Sequence, residues 1–543
     1  MKKLWPLLLI LFAACKQKEY NADLLVKNAL VYTVDSTFTT ANAFVVSGGK
    51  ILAVGKADTL EQKYLAREVI DAGGKAIYPG FIDAHSHFYE YGLGLQAVKL
   101  TGTQSWAAIL DSVNNYSRKN TEGWIIGNGW DQNIWTNKAF PNKAKLDSLF
   151  PVRPVLLSRI DGHAAIANQA ALNIAGIKPG QTIIGGKIET INGKLTGILI
   201  DNAVGIVTRK IPSPTELVTQ NALLDAQRNC FAVGLTTVDD CGLPYTMVST
   251  IAALQHKGDL KMRMYLMLAD QEENYEYLFK RGAYKTPGLN VRSFKIYADG
   301  ALGSRGACLL SPYADQKKWN GFLLSSKAHF EEVAKKIAAN GFQMCTHAIG
   351  DSANRVALKI YSDVLKGKNN KRWRIEHAQI VAPEDLKYFG DNNIVPSVQP
   401  THATSDMYWA GKRLGTQRLK TAYAYKQLMQ QNGWIALGTD FPVENINPLY
   451  TFYAAVERMD LKGYPEGGFQ KENALSRMEA LKGMTTWAAR ANFEETEKGS
   501  IEPGKYADFV ILDKDIMKVK GSDLPNVKVL KTYINGVKVY EKK

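Results

Sequence analysis

The chain carries, at positions 79–87, the stretch PGFIDAHSH, in which an apolar run follows a Pro-Gly turn and ends in two histidines. Residues two apart on a β-strand point to the same face, so His85 and His87 could reach one metal ion. An HxH pair is common by chance, but its place at the end of an apolar strand strengthens this interpretation. The stretch therefore predicts a buried strand with a metal site at its carboxyl end.

Strand-like and helix-like runs alternate through the centre of the chain, which favours a parallel α/β structure. The predicted strands are 76–85, 235–240, 262–268, 293–299, 342–347, 373–377, 394–399 and 434–440. Helical patterns lie between several of them, for example at 330–340 and 352–365. Eight strands are the number that closes a (β/α)8 TIM-type barrel.

Three further metal-binding residue types end predicted strands: His347, His377 and Asp440. The functional groups of such barrels sit at the carboxyl ends of the strands, so these side chains should meet His85 and His87 at one mouth. Four histidines and one aspartate suit zinc, iron or manganese better than calcium. We expect one or two divalent ions, with zinc as the first choice.

Lys295 lies inside the apolar run FKIYADG at 294–300. A lysine there is costly to bury as a cation unless it has a function. A neutral amine can take up carbon dioxide, and the resulting carbamate could bridge two metals. The alternative is a side chain that extends along the strand edge to reach solvent, and the residues alone leave both open.

The two chain ends and one long insertion flank the barrel sequence. Residues 22–78 and 490–543 contain short strand-like runs, which predict one small β-sandwich domain made from both ends. The barrel then comprises 79–91 and 223–489. Residues 92–222 are too many for a loop, so we predict an inserted subdomain after the first strand.

The first residues have the layout of an export signal. Lys2 and Lys3 precede an apolar run from Leu4 to Ala14, which is too short for a permanent bilayer span. The end FAAC at 12–15 resembles a bacterial lipoprotein box, with Phe where Leu is usual. We therefore expect a signal peptide over 1–15 and an exported protein that a lipid at Cys15 anchors to the membrane; an ordinary cleaved signal is the alternative.

Charge and cysteine spacing indicate which kinds of partner the protein could bind. The formal charge is +15, but no basic cluster is interleaved with aromatic residues, so an evenly spread lysine surface is favoured over nucleic-acid binding. None of the five cysteines forms a CxxC pair, which argues against a thiolate zinc site. A small-molecule substrate is expected, and a homo-oligomer is compatible with the sequence.

Eight stretches stand out along the chain. They are PGFIDAHSH at 79–87, GNGWDQNIW at 127–135, DGHAAIAN at 161–168, KIYADGALGSR at 295–305, THAIGD at 346–351, RIEHAQ at 374–379, GTDFPVE at 438–444 and GSIEPGKYADFVILD at 499–513. Taken together, these motifs resemble the amidohydrolase superfamily, in particular the branch that contains N-substituted formamide deformylases. The resemblance implies that His85, His87 and Asp440 hold one metal, and His347 and His377 a second. It also implies that Lys295 is a carboxylated bridging ligand and that Asp440 is the catalytic base.

Further candidates lie outside this ligand set. His163 closes a strand-like run and, in the family pattern, lies near the pocket, where it could bind the substrate carbonyl or oxyanion; a core histidine is the alternative. Trp130 and Asp131 are candidate pocket residues, although packing is the commoner role for a tryptophan. Other residues have open assignments: pocket or structure for His402, loop support or substrate contact for Asp299 and Arg305, and the surface for His256 and His329.

The sequence favours a hydrolase that cuts a linear or N-substituted amide with metal-activated water. The same ligands would also support cyclic-amide or deaminase chemistry, and fold analogy cannot separate these reactions. A surface binding lipoprotein that lost catalysis is a third possibility. It is disfavoured because every ligand position and the Asp440 base are present.

Overall fold

The computed structural model describes residues 20–543. The predicted signal segment 1–15, including Cys15, lies outside the described residues. Within them, no helix combines the length and the apolar character that a membrane crossing requires.

The amino-terminal segment forms short strands and one helix. They are β1 (Ala22–Lys27), β2 (Leu30–Tyr32), β3 (Thr40–Ala41), β4 (Ala43–Ser47), β5 (Lys50–Gly55), α1 (Ala57–Lys63), β6 (Ala66–Asp71) and β7 (Ala76–Pro79). Gly48 and Gly49 connect the antiparallel strands β4 and β5 at φ values of 57° and 76°, which glycine adopts without steric cost. Four of these strands form a sheet in the order β5-β4-β1-β6.

The first barrel strand is followed by a segment with its own sheet. The elements are β8 (Phe81–Ser86), α2 (Phe88–Gly94), β9 (Val98–Lys99), α3 (Trp106–Lys119), β10 (Ile125–Trp130), α4 (Ala144–Leu149), β11 (Val155–Arg159), β12 (Ala164–Ala167), α5 (Gln169–Ala175), β13 (Gly186–Ile191), β14 (Lys194–Asp201) and α6 (Asn202–Thr208). Strands β9 to β14 pair in the order β13-β14-β12-β11-β10-β9. The next helix, α7 (Glu216–Ala232), packs on α2 and crosses the predicted boundary at 222.

The remaining central elements alternate between strands and helices. The strands are β15 (Leu235–Leu243), β16 (Arg263–Ala269), β17 (Tyr284–Lys285), β18 (Leu289–Tyr297), β19 (Gln343–Ala348), β20 (Arg374–His377), β21 (Val395–Val398) and β22 (Ala436–Leu437). The helices are α8 (Thr246–Lys257), α9 (Glu272–Arg281), α10 (Lys327–Ala339), α11 (Asp351–Leu365), α12 (Lys387–Asp391), α13 (Pro400–Asp406), α14 (Ala410–Leu419), α15 (Tyr425–Asn432), α16 (Pro448–Glu457), α17 (Arg477–Gly483) and α18 (Thr486–Ala491).

Eight parallel strands form a nearly closed barrel, which confirms the predicted TIM-type fold. Their order is β22-β21-β20-β19-β18-β16-β15-β8, and β17 pairs at the side with β18. The two ends of this order lie together, because the backbone N–H of Asp440, just after β22, donates to the carbonyl of His85 in β8 at 2.8 Å. The carboxyl ends of all eight strands therefore face one mouth.

The predicted strand 76–85 is divided into two strands at Gly80. Residues up to Pro79 pair with the chain-end strands, whereas Phe81 begins the barrel. A Cβ at position 80 would lie 2.3 Å from Thr236 Oγ1, so glycine is required where the chain passes this close to β15.

The carboxyl terminus returns to the amino-terminal strands through β23 (Phe509–Leu512), β24 (Val529–Ile534) and β25 (Val537–Glu541). They extend a six-stranded sheet in the order β25-β24-β23-β7-β2-β3. The Phe44 ring from the four-stranded sheet lies 5.0 Å from the Phe509 ring of this sheet. The two sheets thus share one apolar core, made from both ends of the chain.

A buried ion pair joins the barrel to the carboxyl-terminal strands. Arg263 in β16 donates from Nε to Asp508 Oδ2 at 2.5 Å and from Nη2 to Asp508 Oδ1 at 3.0 Å, and both side chains are almost fully buried. We expect Arg263→Ala to lower the free energy of unfolding by about 3–5 kcal/mol, because it leaves the Asp508 carboxylate buried without its cation.

Denaturant unfolding followed by circular dichroism tests this expectation. Arg67→Ala, at an exposed position on β6, is the matched control and should change stability by less than about 0.5 kcal/mol. Equal unfolding midpoints for the two variants would show that the ion pair does not hold the barrel to these strands.

Candidate active site

Three side chains from separate strands meet at the mouth of the barrel. One ligand atom from each of His85, His377 and Asp440 lies within 4.8 Å of the others, and all three residues are buried. His377 and Asp440 have φ values of 71° and 62°, which are unusual for residues other than glycine. The chain thus leaves the extended conformation where the side chains turn into the mouth, and such strain is often found at functional sites.

The other predicted ligands surround this cluster. His87 Nε2 lies 3.4 Å from Asp440 Oδ1, and Lys295 Nζ lies 3.0 Å from His85 Nε2. The His347 ring centroid is 4.5 Å from that of His377. All six residues that the sequence analysis named as ligands therefore lie in one region.

Burial and mutual repulsion keep the central imidazoles neutral. Burial, with Lys295 nearby, lowers the pKa of His85 to about 4. Burial and the neighbouring histidines lower the pKa of His347 and that of His377 well below the usual value. A neutral imidazole offers a nitrogen lone pair to a metal, whereas an imidazolium does not.

Asp440 is the anionic group of the cluster. Burial opposes its ionisation, but the nearby His85, the hydrogen bond from His402 and the close approach of His87 outweigh burial and hold the pKa of Asp440 well below its usual value. The carboxylate can therefore serve as a ligand or as a proton acceptor at neutral pH.

The donor set fits a divalent cation. His347 Nε2 and Asp440 Oδ1 are buried and have no hydrogen-bond partner among residues 20–543. Buried polar atoms are nearly always satisfied, so two such atoms beside neutral imidazoles indicate a place for a cation. Nitrogen and carboxylate donors together suit zinc, iron or manganese.

His402, which also contacts Glu444, holds the second oxygen of Asp440. His402 Nε2 lies 3.1 Å from Asp440 Oδ2, and His402 Nδ1 lies 3.1 Å from Glu444 Oε1. Burial opposes protonation of His402, but its hydrogen bonds to the two carboxylates raise its pKa to about 10. The contact with Glu444 was not predicted, although this residue closes the motif GTDFPVE.

Glu376 is a second residue that the sequence analysis missed. Its Oε2 lies 2.6 Å from His85 Nδ1, and both side chains are fully buried. A carboxylate on Nδ1 fixes the tautomer of a histidine and leaves Nε2 free for a metal. The motif RIEHAQ contained the signal, but neighbours on a regular strand point to opposite faces; the positive φ of His377 is what lets both side chains serve the site.

We expect Glu376→Gln to weaken metal binding by about 10-fold to 100-fold, because the amide holds His85 less firmly than the carboxylate does. Competition with a fluorescent chelator measures the dissociation constant directly. Glu384→Gln, an exposed glutamate that pairs with Arg355, is the control and should leave metal affinity unchanged. Unchanged affinity in Glu376→Gln would remove the proposed role.

His163 reaches the same mouth from the inserted segment. Its ring centroid lies 4.9 Å from that of His347, and its Nδ1 lies 2.6 Å from Asp201 Oδ1. Burial opposes protonation, but the hydrogen bond to Asp201 and the charge of that carboxylate raise the pKa of His163. His163 is therefore placed where it can contact a substrate.

Three predicted substrate residues have partners within the protein. Trp130 is fully buried in the core of the inserted segment and donates from Nε1 to the carbonyl of Leu157 at 2.7 Å. Asp131 pairs with Arg159, and Arg305 pairs with Asp315 at 2.8 Å. Packing and ion pairs account for these three side chains, and a substrate contact by any of them stays a prediction.

The remaining polar candidates have structural contacts. Asp299 accepts hydrogen bonds from the backbone N–H groups of Cys308, Ile349 and Gly350, which supports the loop assignment. His329 pairs with Asp270 at 2.7 Å on the surface of the barrel. Among the described residues, the four cysteines are free thiols.

Comparisons with known proteins agree with this geometry. The family model described as the amidohydrolase family matches residues 68–540. Protein LONG AFTER FAR-RED 3 of Arabidopsis thaliana is 33% identical over 539 residues, covering 96% of this chain and 92% of that protein. The N-substituted formamide deformylase of Arthrobacter pascens is 27% identical and covers 96% of this chain and 98% of the deformylase.

A solved structure extends the similarity to the fold. The crystal structure of an uncharacterized metal-dependent hydrolase from Pyrococcus horikoshii superposes with a TM-score of 0.76 at 27% identity, covering 92% of this chain and 99% of that one. The family model alone spans most of the sequence, and the two relatives match this chain over nearly its whole length. The chain therefore belongs to the amidohydrolase family.

Proposed function

We propose that the protein is a metal-dependent hydrolase of carbon–nitrogen bonds in linear or N-substituted amides, such as formamides, and that it releases an amine. This proposal depends on one observation: His85, His377 and Asp440 are buried at the barrel mouth, and one ligand atom of each lies within 4.8 Å of the others. The similarity to an N-substituted formamide deformylase supports the choice of bond.

The ligand assignment is the one that the family resemblance implies. His85, His87 and Asp440 would hold one ion, and His347 and His377 a second, with zinc as our first choice and iron or manganese as alternatives. When bound, such an ion polarises the substrate carbonyl and lowers the pKa of water towards neutrality.

Lys295 would bridge the two ions as a carbamate. Its Nζ is fully buried 3.0 Å from His85 Nε2, so a carboxyl group on this nitrogen would lie among the ligands. Without the modification, the same residues would support a site with a single metal.

The chain's own residues move the proton and steady the carbonyl. Asp440 accepts the proton of the attacking water as the new C–O bond forms, and returns it to the nitrogen as the C–N bond breaks. His402 keeps Asp440 Oδ2 in place during both transfers. His163 donates a hydrogen bond to the carbonyl oxygen, on which negative charge develops.

The proposal also covers the domains outside the barrel and the location of the protein. The two chain ends form a β-sandwich domain, and the insertion forms a subdomain that shapes the substrate pocket. Cleavage before a lipidated Cys15 would anchor the exported enzyme to a membrane, facing the periplasm or the cell exterior.

A substrate panel tests the proposed reaction. Purified protein loaded with zinc or manganese is incubated with N-formyl, N-acetyl and N-carbamoyl amines, including D-amino acid derivatives, and the released amine is measured. We expect hydrolysis of linear amides. Selective turnover of cyclic amides, or release of ammonia from amino-substituted rings, would instead identify a cyclic amidase or a deaminase. A metal-loaded protein that turns over none of these would contradict an enzymatic role.

A further inference from the structure

Asp201, which the proposed mechanism does not use, binds His163 at two points. It is the last residue of β14 and immediately precedes α6. Its Oδ1 lies 2.6 Å from His163 Nδ1, and its backbone N–H donates to the His163 carbonyl at 2.8 Å. Both the ring and the backbone of His163 are therefore fixed by one residue.

The conformation of Asp201 is costly for the fold. Its backbone has a φ of 52° and a ψ of −123°, a combination that residues other than glycine rarely adopt. Its carboxylate is fully buried, and Oδ2 has no hydrogen-bond partner within residues 20–543. Strain and an unsatisfied buried oxygen are tolerated where a function requires them.

The glycine-rich loop that ends the motif KIYADGALGSR and continues to Gly306 is shaped around this carboxylate. A Cβ at position 300 would lie 2.3 Å from Asp201 Oδ2, and a Cβ at position 306 would lie 2.1 Å from the same atom. Gly300 and Gly306 are therefore required for Asp201 to occupy its position. The barrel loop and the inserted segment are built to fit each other at this point.

The contact with Asp201 determines which nitrogen of His163 is available to a substrate. Because Nδ1 faces Asp201, Nε2 is the nitrogen left for the mouth of the barrel. The ring lies 4.9 Å from the His347 ring and 6.2 Å from the Tyr297 ring, both on barrel strands. The side chain remains 15% exposed, so a ligand in the mouth can reach it.

We propose that Asp201 is a positioning residue, which holds His163 of the inserted segment with Nε2 directed at the substrate carbonyl. This inference rests on the proposed function, in which His163 contacts that carbonyl. It makes the insertion a contributor to the chemistry as well as a wall of the pocket.

The test compares Asp201→Asn with Asp147→Asn, which changes a carboxylate on α4 of the same segment that pairs with Lys143. Kinetics use the best N-formyl or N-acetyl amine of the panel. We expect kcat of Asp201→Asn to fall by about 100-fold, with KM changed less than threefold and metal content unchanged. Asp147→Asn should match the unmodified protein. If Asp201→Asn retains full kcat and only melts earlier, the pair is structural and the proposal is wrong.

A second measurement needs neither activity nor a variant at Asp201. In protein labelled with ¹⁵N-histidine, nuclear magnetic resonance should show a downfield Nδ1–H resonance that His163→Gln removes. Absence of that resonance in the unmodified protein would overturn the proposal, even if the panel yields a substrate. If the resonance is present but no amide is turned over, the contact between Asp201 and His163 stands. That result would contradict the proposed function instead.

Discussion

Asp440→Asn is expected to lower kcat/KM by roughly 100-fold to 10,000-fold while the protein stays folded. The amide cannot accept the proton of the attacking water, and a positioned base of this kind contributes about that factor. The substituted side chain keeps its size and can still accept the hydrogen bond that His402 donates to Oδ2. The rate is measured on the best substrate of the panel, and folding by circular dichroism.

Two accompanying measurements identify the cause of the loss. Metal content distinguishes a lost base from a lost ligand: turnover that disappears while the metal is retained assigns the base role. Asp460→Asn changes a partly buried carboxylate on a loop after α16, which accepts hydrogen bonds from Lys462 and Tyr464 N–H groups. This control should keep its activity, and an Asp440→Asn variant as fast as this control would refute the mechanism.

Removal of the metal is expected to abolish turnover and to lower the melting temperature. Dialysis against a chelator takes away the cation, and the native state loses stabilisation in proportion to the logarithm of metal concentration over Kd. The neutral His85, His347 and His377 side chains keep their lone pairs, so added zinc, manganese or iron should restore activity.

The stoichiometry of the restored protein addresses Lys295. Two ions per chain are expected with a carbamate on Lys295, and one ion without it. Refilling in buffer free of carbon dioxide, compared with refilling in bicarbonate, should then change the count from one to two. Full activity after exhaustive chelation, with no metal detectable, would contradict the dependence on a cation.

The barrel and the meeting of its strand ends follow from sequence pattern, because parallel strands present their carboxyl ends at a common edge. His85, His347 and His377 each lie at or next to the end of a predicted strand, and the structure brings them together. Asp440 was placed at a strand end, yet β22 stops at Leu437 and a positive φ turns Asp440 into the site. Such a local turn leaves no periodic pattern in the sequence, so it could not be predicted.

Contacts across distant segments were not predictable in the same way. Glu376 and Asp201 act on histidines 291 and 38 residues away in the chain, and no spacing rule links such pairs. Trp130 contacts the rings of Trp135 and Phe140, which lie near it in the chain, and so takes the packing role that the sequence analysis named as the commoner one. Packing of this kind depends on how the insertion folds, which the sequence pattern does not specify.

Anomalous diffraction from crystals of the zinc-loaded protein tests the central claim most directly. We predict a peak at the barrel mouth, about 2.0–2.2 Å from a nitrogen of His85 and from a carboxylate oxygen of Asp440. His377 should coordinate either the same ion or a second one beside it. A map with no peak at these side chains in the presence of excess zinc, or one that shows them turned apart, would contradict the account.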